Sequence, residues 1–448
     1  MTISRQKPAE ETQGEELPVP LLQPSPQELT PSQQEGIDLL VRDRRHVFIT
    51  GGAGTGKSFL VREYLRRAAQ DIPVIASTGA AAILIGGRTF HSFFSLGILQ
   101  GGPAAALKKA VSNSRLRKRL KEAETIVIDE VSMLSQEAFD VAEKIARAVR
   151  RCEEPWGGIR VLAVGDFAQL PPISKHHFKP WCFRGDAWRR SCFQPVVLRE
   201  VKRTEDAAFL EVLEDIRWGN VSERAEGFLN GRLAEDLELE EDVPHLFPRR
   251  AQTEAFNRSR LENLKTALRT YETEYGGEGV LIERMMKEAP IPPVLELKEG
   301  ALVMMRINDP KQRFINGTVG HIMDMDDETL GIRVHGRRIE LGRFTFSMQN
   351  EDGEEVAFAH NFPVNLAYAS TIHKIQGTTL DRIHVDLRNL WEPGQAYVAL
   401  SRARSGRGVT LMGWTPRSIK ADSEVREFYQ ALAEGRMPEP PPRQDLFA

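Results

Sequence analysis

The sequence has few cysteines and no long apolar run. Its 448 residues include only Cys152, Cys182 and Cys192, whose spacing fits neither a disulfide framework nor a zinc site. No uninterrupted apolar run approaches the roughly 20 residues that span a bilayer, and the N-terminus lacks the apolar core of a secretion signal. These absences argue against a disulfide-stapled secreted domain and a membrane-spanning protein, and they predict a cytoplasmic protein.

The sequence also lacks an excess of positive charge. It has 60 Lys and Arg residues against 63 Asp and Glu, which gives a formal net charge of −3. A general electrostatic footprint for nucleic acid is therefore missing, and any such site must be a local groove. The length allows two to four domains, at about 100–200 residues per domain.

Short strands and helix-length segments alternate along much of the chain. The apolar, β-branched runs are HVFIT (46–50), PVIAS (73–77), TIVIDE (125–130) and RVLAVGD (160–166). This alternation predicts an α/β fold with a parallel sheet that is covered on both faces.

Three regions differ from that pattern. Residues 1–28 and 436–448 contain many prolines and few apolar side chains, so they are predicted to be a disordered arm and tail. Around 300–362, short alternating segments with glycine-containing turns predict a small β-barrel insertion. The strand and helix alternation resumes at NLAYAS (365–370).

The strongest motif is GGAGTGKS, between the strand HVFIT and a helical segment, which is the context that a P-loop requires. Its glycines allow backbone N–H groups to converge on phosphate oxygens. Lys57 is predicted to contact the β- and γ-phosphates of ATP, and the Ser58 hydroxyl is predicted to bind Mg²⁺. The predicted nucleotide-binding residues of this loop are Gly51, Gly52, Ala53, Gly54, Thr55, Gly56, Lys57 and Ser58.

Two carboxylates follow the buried strand TIVI. Asp129 is predicted to hold Mg²⁺, and Glu130 is predicted to polarise the attacking water. An isolated Asp-Glu pair is common on solvated surfaces, but the preceding strand and the upstream P-loop favour a catalytic pair. Gln169, after the strand LAV, lies where a γ-phosphate sensor is expected, although a single glutamine in a loop usually has no such role.

In their order, these motifs resemble those of superfamily-one helicases of subgroup B, and among them the Pif-one family and its RecD-like relatives. The segments that carry the resemblance are LTPSQ (29–33), GGAGTGKS (51–58), STGAAAILIGGRTFHSFF (77–94), VIDEVSML (127–134), VGDFAQLPP (164–172), VVLREVKRTEDAAFLEVLEDIRWGN (196–220), INGTVG (315–320), YASTIHKIQGTTLD (368–381) and YVALSRA (397–403).

The resemblance implies two RecA-like domains, with ATP between them and single-stranded DNA across their tops. The first is expected at 29–195, with a small wedge insertion within 95–122. The second is expected at 196–315 and 363–435, interrupted by a barrel of the Src-homology-three type at 316–362. The barrel would close over the strand or contact the duplex junction, or it could be purely structural.

The resemblance also assigns roles at the nucleotide. Arg203 and Arg402 of the second domain would extend to the γ-phosphate as arginine fingers, which couple hydrolysis to closure of the cleft. Gln33 would bind the adenine edge. The backbone at Gly377 would approach the phosphates, with Gln376 in a coupling role.

A third group of residues is assigned to DNA by the same resemblance. Its members are Thr78, Gly79, Thr89, His91 and Phe93 in the first domain, with Thr371 and His373 in the second. Hydroxyls, amides and imidazoles bind phosphates without reading sequence, and an aromatic ring stacks on any base. Without the motif, His91 and Phe93 would be interpreted as core residues. The basic run between Leu96 and Lys121 lines the DNA path, flanks the wedge or is a solvated helix face.

The function implied is an ATP-dependent 5′→3′ helicase or translocase on single-stranded DNA, bacterial and nucleoid-associated, which separates duplex or structured DNA junctions. G-quadruplexes and RNA–DNA hybrids are candidate substrates. Two alternatives stay open: a RecD-like motor subunit of a nuclease or relaxase complex, and a nucleotide-gated DNA clamp that does not unwind. Replication or repair proteins are candidate partners, because the terminal RQDLF faintly resembles a sliding-clamp peptide.

Overall fold

The computed structural model describes residues 28–436, apart from 69–71, 79–80, 83–87, 97–101, 173–179, 205, 235–239, 241, 310, 312 and 350–354. The predicted arm and tail, including the RQDLF segment, lie outside the described residues except for Glu28 and Arg436. Among the described helices, none has both the length and the apolar character that crossing a bilayer requires.

Within the described residues, six parallel strands form the first sheet in the order β3-β2-β4-β5-β1-β6. The strands are β1 (Val47–Gly51), β2 (Val74–Ala76), β3 (Arg88–Thr89), β4 (Thr125–Asp129), β5 (Arg160–Val164) and β6 (Gln194–Leu198). The helices around them are α1 (Pro31–Arg42), α2 (Lys57–Arg67), α3 (Phe90–Phe93), α4 (Gly102–Ser112), α5 (Ser114–Glu122), α6 (Gln136–Arg150) and α7 (Asp186–Ser191).

This sheet is covered on both faces, as the sequence predicts. Val47 and Ile49 of β1 pack against α1 and α2 in one apolar cluster, whereas Phe48 between them packs in a second cluster with α6. The alternation follows from the pleat, because successive strand residues point to opposite faces.

A second, smaller parallel sheet has the order β18-β7-β19-β20. Its strands are β7 (His245–Phe247), β18 (Ala369–Thr371), β19 (Ile383–Asp386) and β20 (Val409–Gly413). The helices of this half are α8 (Ala207–Arg217), α9 (Glu223–Asn230), α10 (Arg250–Asn263) and α12 (Gln395–Leu400), followed by α13 (Ser423–Ala433). Another helix, α11 (Gly279–Glu288), packs on an antiparallel insertion. The described residues therefore form two α/β units, each with its own parallel sheet.

The insertion consists of antiparallel strands, but it begins earlier in the chain than 316. Described strands form sheets in the orders β14-β13-β12-β11-β17, β15-β16-β9 and β10-β8. They are β8 (Arg269–Glu272), β9 (Glu274–Gly277), β10 (Val294–Leu297), β11 (Leu302–Met305), β12 (Val319–Met325), β13 (Thr329–Val334), β14 (Arg337–Gly342), β15 (Phe344–Gln349), β16 (Glu355–Asn361) and β17 (Val364–Leu366). The sequence predicts that the strands from Arg269 onward belong to the second α/β domain. Instead, β9 pairs with β16 and β11 pairs with β12, so these strands belong with the insertion. Pairing between strands joins segments that are distant in sequence, which the local residue pattern does not reveal. A barrel of the Src-homology-three type stays a prediction.

The last helix, α13, packs against the first α/β unit. In sequence it lies within the predicted second domain, yet Val425 and Phe428 are buried in the core beside β1. The Phe428 ring lies 4.5 Å from that of Phe183 and 5.2 Å from that of Phe167, centroid to centroid. The chain therefore returns to the first unit after completing the second.

Phe428→Ala is expected to destabilise the first unit by about 3–5 kcal/mol, because truncating a buried Phe removes its transfer free energy and leaves a cavity. Chemical denaturation followed by tryptophan fluorescence measures the change, since Trp188 lies 5.9 Å from the Phe428 ring. Phe344→Ala is the matched control because Phe344 is 41% exposed, and it should cost far less. Equal losses in the two variants would contradict the packing role of α13.

Candidate functional site

The P-loop connects β1 to α2. Gly54 and Gly56 have φ angles of +82° and +84°, which residues with a side chain rarely adopt. The Lys57 ammonium donates to the carbonyls of Gly51 and Gly52 at 2.8 and 3.1 Å. Desolvation lowers the pKa of Lys57, and nearby carboxylates oppose this shift. The loop thus holds a cation among backbone groups at the C-terminal edge of the sheet.

The two predicted carboxylates lie at the same edge, where β4 ends. The Asp129 carboxylate accepts a hydrogen bond from the backbone N–H of Glu130 at 2.9 Å. Burial, followed by the neighbouring Asp129, raises the pKa of Glu130 to about 7. Glu130 Oε2 is buried and has no hydrogen-bond partner in the described part of the chain. An acceptor in this state is suited to bind a water molecule beside the phosphates.

Oxygen donors for a magnesium ion are present at this edge. Ser58 is exposed at the start of α2, and Asp129 is the last residue of β4, which β5 separates from β1. Mg²⁺ prefers hard oxygen ligands, and it is usually held by one or two side chains together with substrate phosphates. Ser58, Asp129 and the unpartnered Glu130 oxygen therefore fit Mg²⁺ bound with a nucleotide.

A buried ion pair lies beside the P-loop. Arg217 of α8 donates to Asp166 at 3.0 Å, and the Tyr429 hydroxyl donates to the same carboxylate oxygen at 3.1 Å. Desolvation opposes ionisation of Asp166, but Arg217 and Lys57 outweigh it and lower its pKa. A negative charge is thereby fixed close to the ammonium of the P-loop.

The predicted phosphate sensor Gln169 connects the two units. Its side-chain amide donates to Asp166 at 3.4 Å, and its oxygen accepts from Gln376 at 3.2 Å. Gly394, with φ at +79°, packs directly on the Gln169 carbonyl, where any side chain would collide. Gln169, the predicted sensor, and Gln376, the predicted coupling residue, are therefore in contact, and both roles stay predictions.

Gln33 lies against the P-loop. Its amide donates to the Thr55 carbonyl at 2.9 Å, and its oxygen accepts from the backbone N–H of Thr30 at 3.0 Å. Both ends of the side chain thus hold the loop and the start of α1 in place, and contact with an adenine stays a prediction. Gly377 has a φ of +82° and is exposed, which leaves its backbone accessible.

The two predicted arginine fingers meet at Ser401. Arg203 donates to the Ser401 carbonyl at 2.7 Å, and Arg402 donates to the Ser401 hydroxyl at 2.8 Å. Arg402 is 1% exposed and also donates to the carbonyls of Val398 and Thr378 at 2.8 and 3.3 Å. Desolvation and the nearby Arg203 lower the pKa of Arg402 to about 9. Two cations are held close together without an ion-pair partner among the described residues.

Three threonines assigned to DNA share one geometry, in which the hydroxyl oxygen accepts a backbone N–H from three residues further along. The pairs are Thr78 with Ala81 at 3.2 Å, Thr89 with Ser92 at 3.1 Å and Thr371 with Lys374 at 3.3 Å. In the part of the chain that the structure describes, none of these three hydroxyls donates its own proton. Gly79 lies outside the described residues.

The two predicted histidines differ in exposure. His91 is half-buried on α3, and desolvation together with Arg284 of α11 lowers its pKa. Since α11 packs on β9 and β16, the Arg284 charge acts on His91 from the insertion. His373 is exposed beside Thr371.

Phe93 is a core residue, which corrects the prediction that it stacks on a base. It is 2% exposed and packs with the aromatic cluster of the first unit. Arg119 lies over its ring at 5.0 Å and donates to its carbonyl at 3.1 Å. Neither face of the ring is available to a nucleobase in this arrangement.

The basic run forms the exposed face of α4 and α5, whose other face is buried on α6 through Ala110, Leu116 and Leu120. Residues 97–101, within the predicted wedge, lie outside the described residues. The exposed cations are Lys108, Lys109, Arg115, Arg117, Lys118 and Lys121.

Four residues of this site were not predicted from the residue pattern. They are Asp166, Arg217, Tyr397 and Tyr429. Asp166 lies just beyond the C-terminal end of the buried strand β5, at the sheet edge where Asp129 ends β4, and this similarity could have identified it. The two tyrosines carry no such signal, because an aromatic residue on an apolar helix face is usually core.

The geometry of the nucleotide site agrees with the family to which the sequence is similar. The sequence profile of the PIF1-like helicase family matches residues 28–227. The ATP-dependent DNA helicase Pif1 of Bdellovibrio bacteriovorus is 45% identical over 405 residues, which cover 90% of this chain and 92% of the relative. The chain belongs to the PIF1-like helicase family. As a PIF1-like helicase, it is an ATP-dependent DNA helicase and therefore a DNA-dependent ATPase.

Solved PIF1-like structures confirm the fold. Bacteroides sp Pif1 in complex with ADP-AlF4 superimposes with a TM-score of 0.81 at 28% identity, covering 92% of this chain and 98% of the other. Bacteroides Pif1 bound to single-stranded DNA gives a TM-score of 0.65 at the same identity, covering 91% of this chain and 98% of the other. The arrangement described for this PIF1-like helicase is therefore more similar to the complex named for the nucleotide than to the one named for DNA.

Proposed function

We propose that this PIF1-like helicase moves 5′→3′ along single-stranded DNA and separates duplex at junctions, using ATP bound with Mg²⁺ between its two α/β units. The observation that carries the proposal is the cleft itself. The P-loop and both carboxylates belong to the first unit, Arg402 and Gln376 belong to the second, and Arg203 lies between them, against Gly54 and donating to the Ser401 carbonyl. Hydrolysis at such a site changes the contacts between the units, which is what a translocase needs.

Each residue at the nucleotide has a proposed task. Lys57 binds the β- and γ-phosphates, while Ser58 and Asp129 hold the magnesium ion, which neutralises phosphate charge when bound. Glu130 accepts a hydrogen bond from the attacking water and positions it. Arg203 and Arg402 stabilise the negative charge that develops on the transferred phosphoryl group.

The DNA path is proposed to cross both units. The Thr78, Thr89 and Thr371 hydroxyls retain a proton to donate to phosphate oxygens, and His91 and His373 lie beside them. These groups contact the backbone only, so binding should be independent of sequence. The exposed basic face of α4 and α5 supplies further electrostatic attraction.

Direction of movement is tested with partial duplexes that carry either a 5′ or a 3′ single-stranded tail. The 5′-tailed duplex should be unwound and the 3′-tailed duplex should not, because a 5′→3′ translocase must load on a 5′ tail to reach the junction. Gel separation of a labelled strand measures the product. Preference for the 3′ tail would overturn the proposed polarity.

The same assay separates the helicase from its two alternatives. A nucleotide-gated clamp would retain the tail without releasing the labelled strand. A motor subunit of a larger complex would require partner proteins before it unwound anything. Purified chain that unwinds alone rejects both. A sliding-clamp contact through the C-terminal RQDLF segment stays a prediction.

A further inference from the structure

The Tyr397 hydroxyl contacts the P-loop from the opposite unit. Tyr397 lies on α12, is 3% exposed and packs its ring in the core of the second unit. Its hydroxyl oxygen accepts a hydrogen bond from the backbone N–H of Ala53 at 2.7 Å. Ala53 is the third residue of GGAGTGKS, and its side chain packs against the same core. One side chain thus joins the second unit to the backbone of the loop.

The hydroxyl lies where the terminal phosphate of ATP is expected. P-loops bind phosphate oxygens with backbone N–H groups and with the lysine ammonium. Lys57 is held at the carbonyls of Gly51 and Gly52, and a Cβ atom built on Gly52 would lie 3.3 Å from the Tyr397 hydroxyl oxygen. The ammonium and the hydroxyl therefore occupy adjacent parts of one loop.

The hydroxyl has an unused proton. It accepts from Ala53, and none of the hydrogen bonds among the described residues uses it as a donor. Desolvation and then Asp166 raise the pKa of Tyr397 to about 12, so the proton stays in place at neutral pH. Burying a donor without an acceptor is unfavourable, so a binding partner for it is favoured.

The neighbouring carboxylate is already occupied. Asp166 accepts hydrogen bonds from Arg217, Tyr429 and Gln169, as well as from the backbone N–H of Ala168. Arg217, whose guanidinium lies 6.0 Å from the Tyr397 ring, has only donors to offer. An oxygen supplied by a ligand is therefore the acceptor that suits this hydroxyl.

We propose that the Tyr397 hydroxyl binds ATP directly, donating a hydrogen bond to its terminal phosphate from the second unit. This inference rests on the proposed phosphate site at Lys57. Arg402 follows the same helix and donates to the carbonyl of Val398, the residue after Tyr397, so movement of α12 carries both groups. ADP lacks the terminal phosphate, and Tyr397 therefore favours the triphosphate over the diphosphate.

Tyr397→Phe tests this, since it keeps the ring in the core and removes only the hydroxyl. A hydrogen bond to a charged group corresponds to roughly a tenfold or larger change in affinity. In the full-length chain, binding of adenylyl imidodiphosphate should weaken by about that factor, whereas binding of ADP should change by less than about twofold. The kcat of DNA-stimulated ATP hydrolysis should fall as well.

Tyr271→Phe is the matched control. Tyr271 is also buried, and its hydroxyl donates to the Asp326 carbonyl at 2.9 Å within the insertion. It should leave binding of both nucleotides unchanged. Equal weakening of both nucleotides in Tyr397→Phe, or of neither, would overturn the inference. If Lys57→Ala retained normal nucleotide binding, the proposed phosphate site would fail instead, so the two failures are distinguishable.

Discussion

Lys57→Ala is expected to reduce ATP turnover by at least roughly 10²–10³-fold and to abolish unwinding, while the chain stays folded. Lys57 supplies the positive charge at the centre of the P-loop, and no other lysine or arginine among the described residues donates to the carbonyls of Gly51 and Gly52. The variant removes the ammonium from both carbonyls, but the Gly52 carbonyl still accepts from the Thr55 hydroxyl at 2.9 Å and water reaches this half-buried loop. Steady-state phosphate release with and without single-stranded DNA measures the loss.

Lys298→Ala is a control with the same local chemistry. The Lys298 ammonium donates to the backbone carbonyls of Leu264 and Glu262 at 2.6 and 3.4 Å, in the insertion and away from the nucleotide. Its removal should leave turnover within about twofold of the original chain, because a surface lysine contributes little to stability. Unwinding by Lys57→Ala at the original rate would show that the P-loop is not the ATPase site.

The sequence predicts those parts of the site whose functional residues are consecutive in the chain. The P-loop lies in eight consecutive residues, and its flanking strand and helix identify it. Asp129 and Glu130 are adjacent and follow a buried strand. Parallel strands bring both segments to one edge of the sheet, so their proximity follows from the fold class.

The contacts across the cleft could not be predicted in this way. Tyr429 donates to Asp166 over a separation of 263 residues, and it does so because Phe428 beside it packs on β1. A helix with one apolar face shows that it is buried, but not which core buries it. The amphipathic pattern of α13 is therefore equally compatible with either unit.

Phe93 shows a related ambiguity. An aromatic residue after a DNA motif has two interpretations, base stacking and core packing, and the same sequence supports both. Burial decides between them, because a ring that is 2% exposed has no free face. The threonines do not share this problem, since their short side chains lie at turns whose geometry leaves a proton free.

Arg402→Ala is expected to retain ATP binding and to lose about 10³-fold or more in turnover, the usual effect of removing an arginine finger. The structure gives a physical reason for this assignment. Arg402 is buried beside Arg203, and their repulsion, together with desolvation, lowers the pKa of Arg402 to about 9. Two close cations without a carboxylate partner among the described residues are stabilised when a phosphoryl group binds between the units.

A structural role for Arg402 predicts a different result. The side chain donates to the carbonyls of Val398 and Thr378, so its loss could simply loosen α12. In that case nucleotide binding and turnover would fall together, and the melting temperature would drop. Arg160→Ala provides the comparison, because Arg160 is also buried and donates to two backbone carbonyls at 2.9 and 3.0 Å. That variant should lose stability but keep its turnover per folded molecule, whereas Arg402→Lys, which retains the charge, should recover part of the turnover that Arg402→Ala loses.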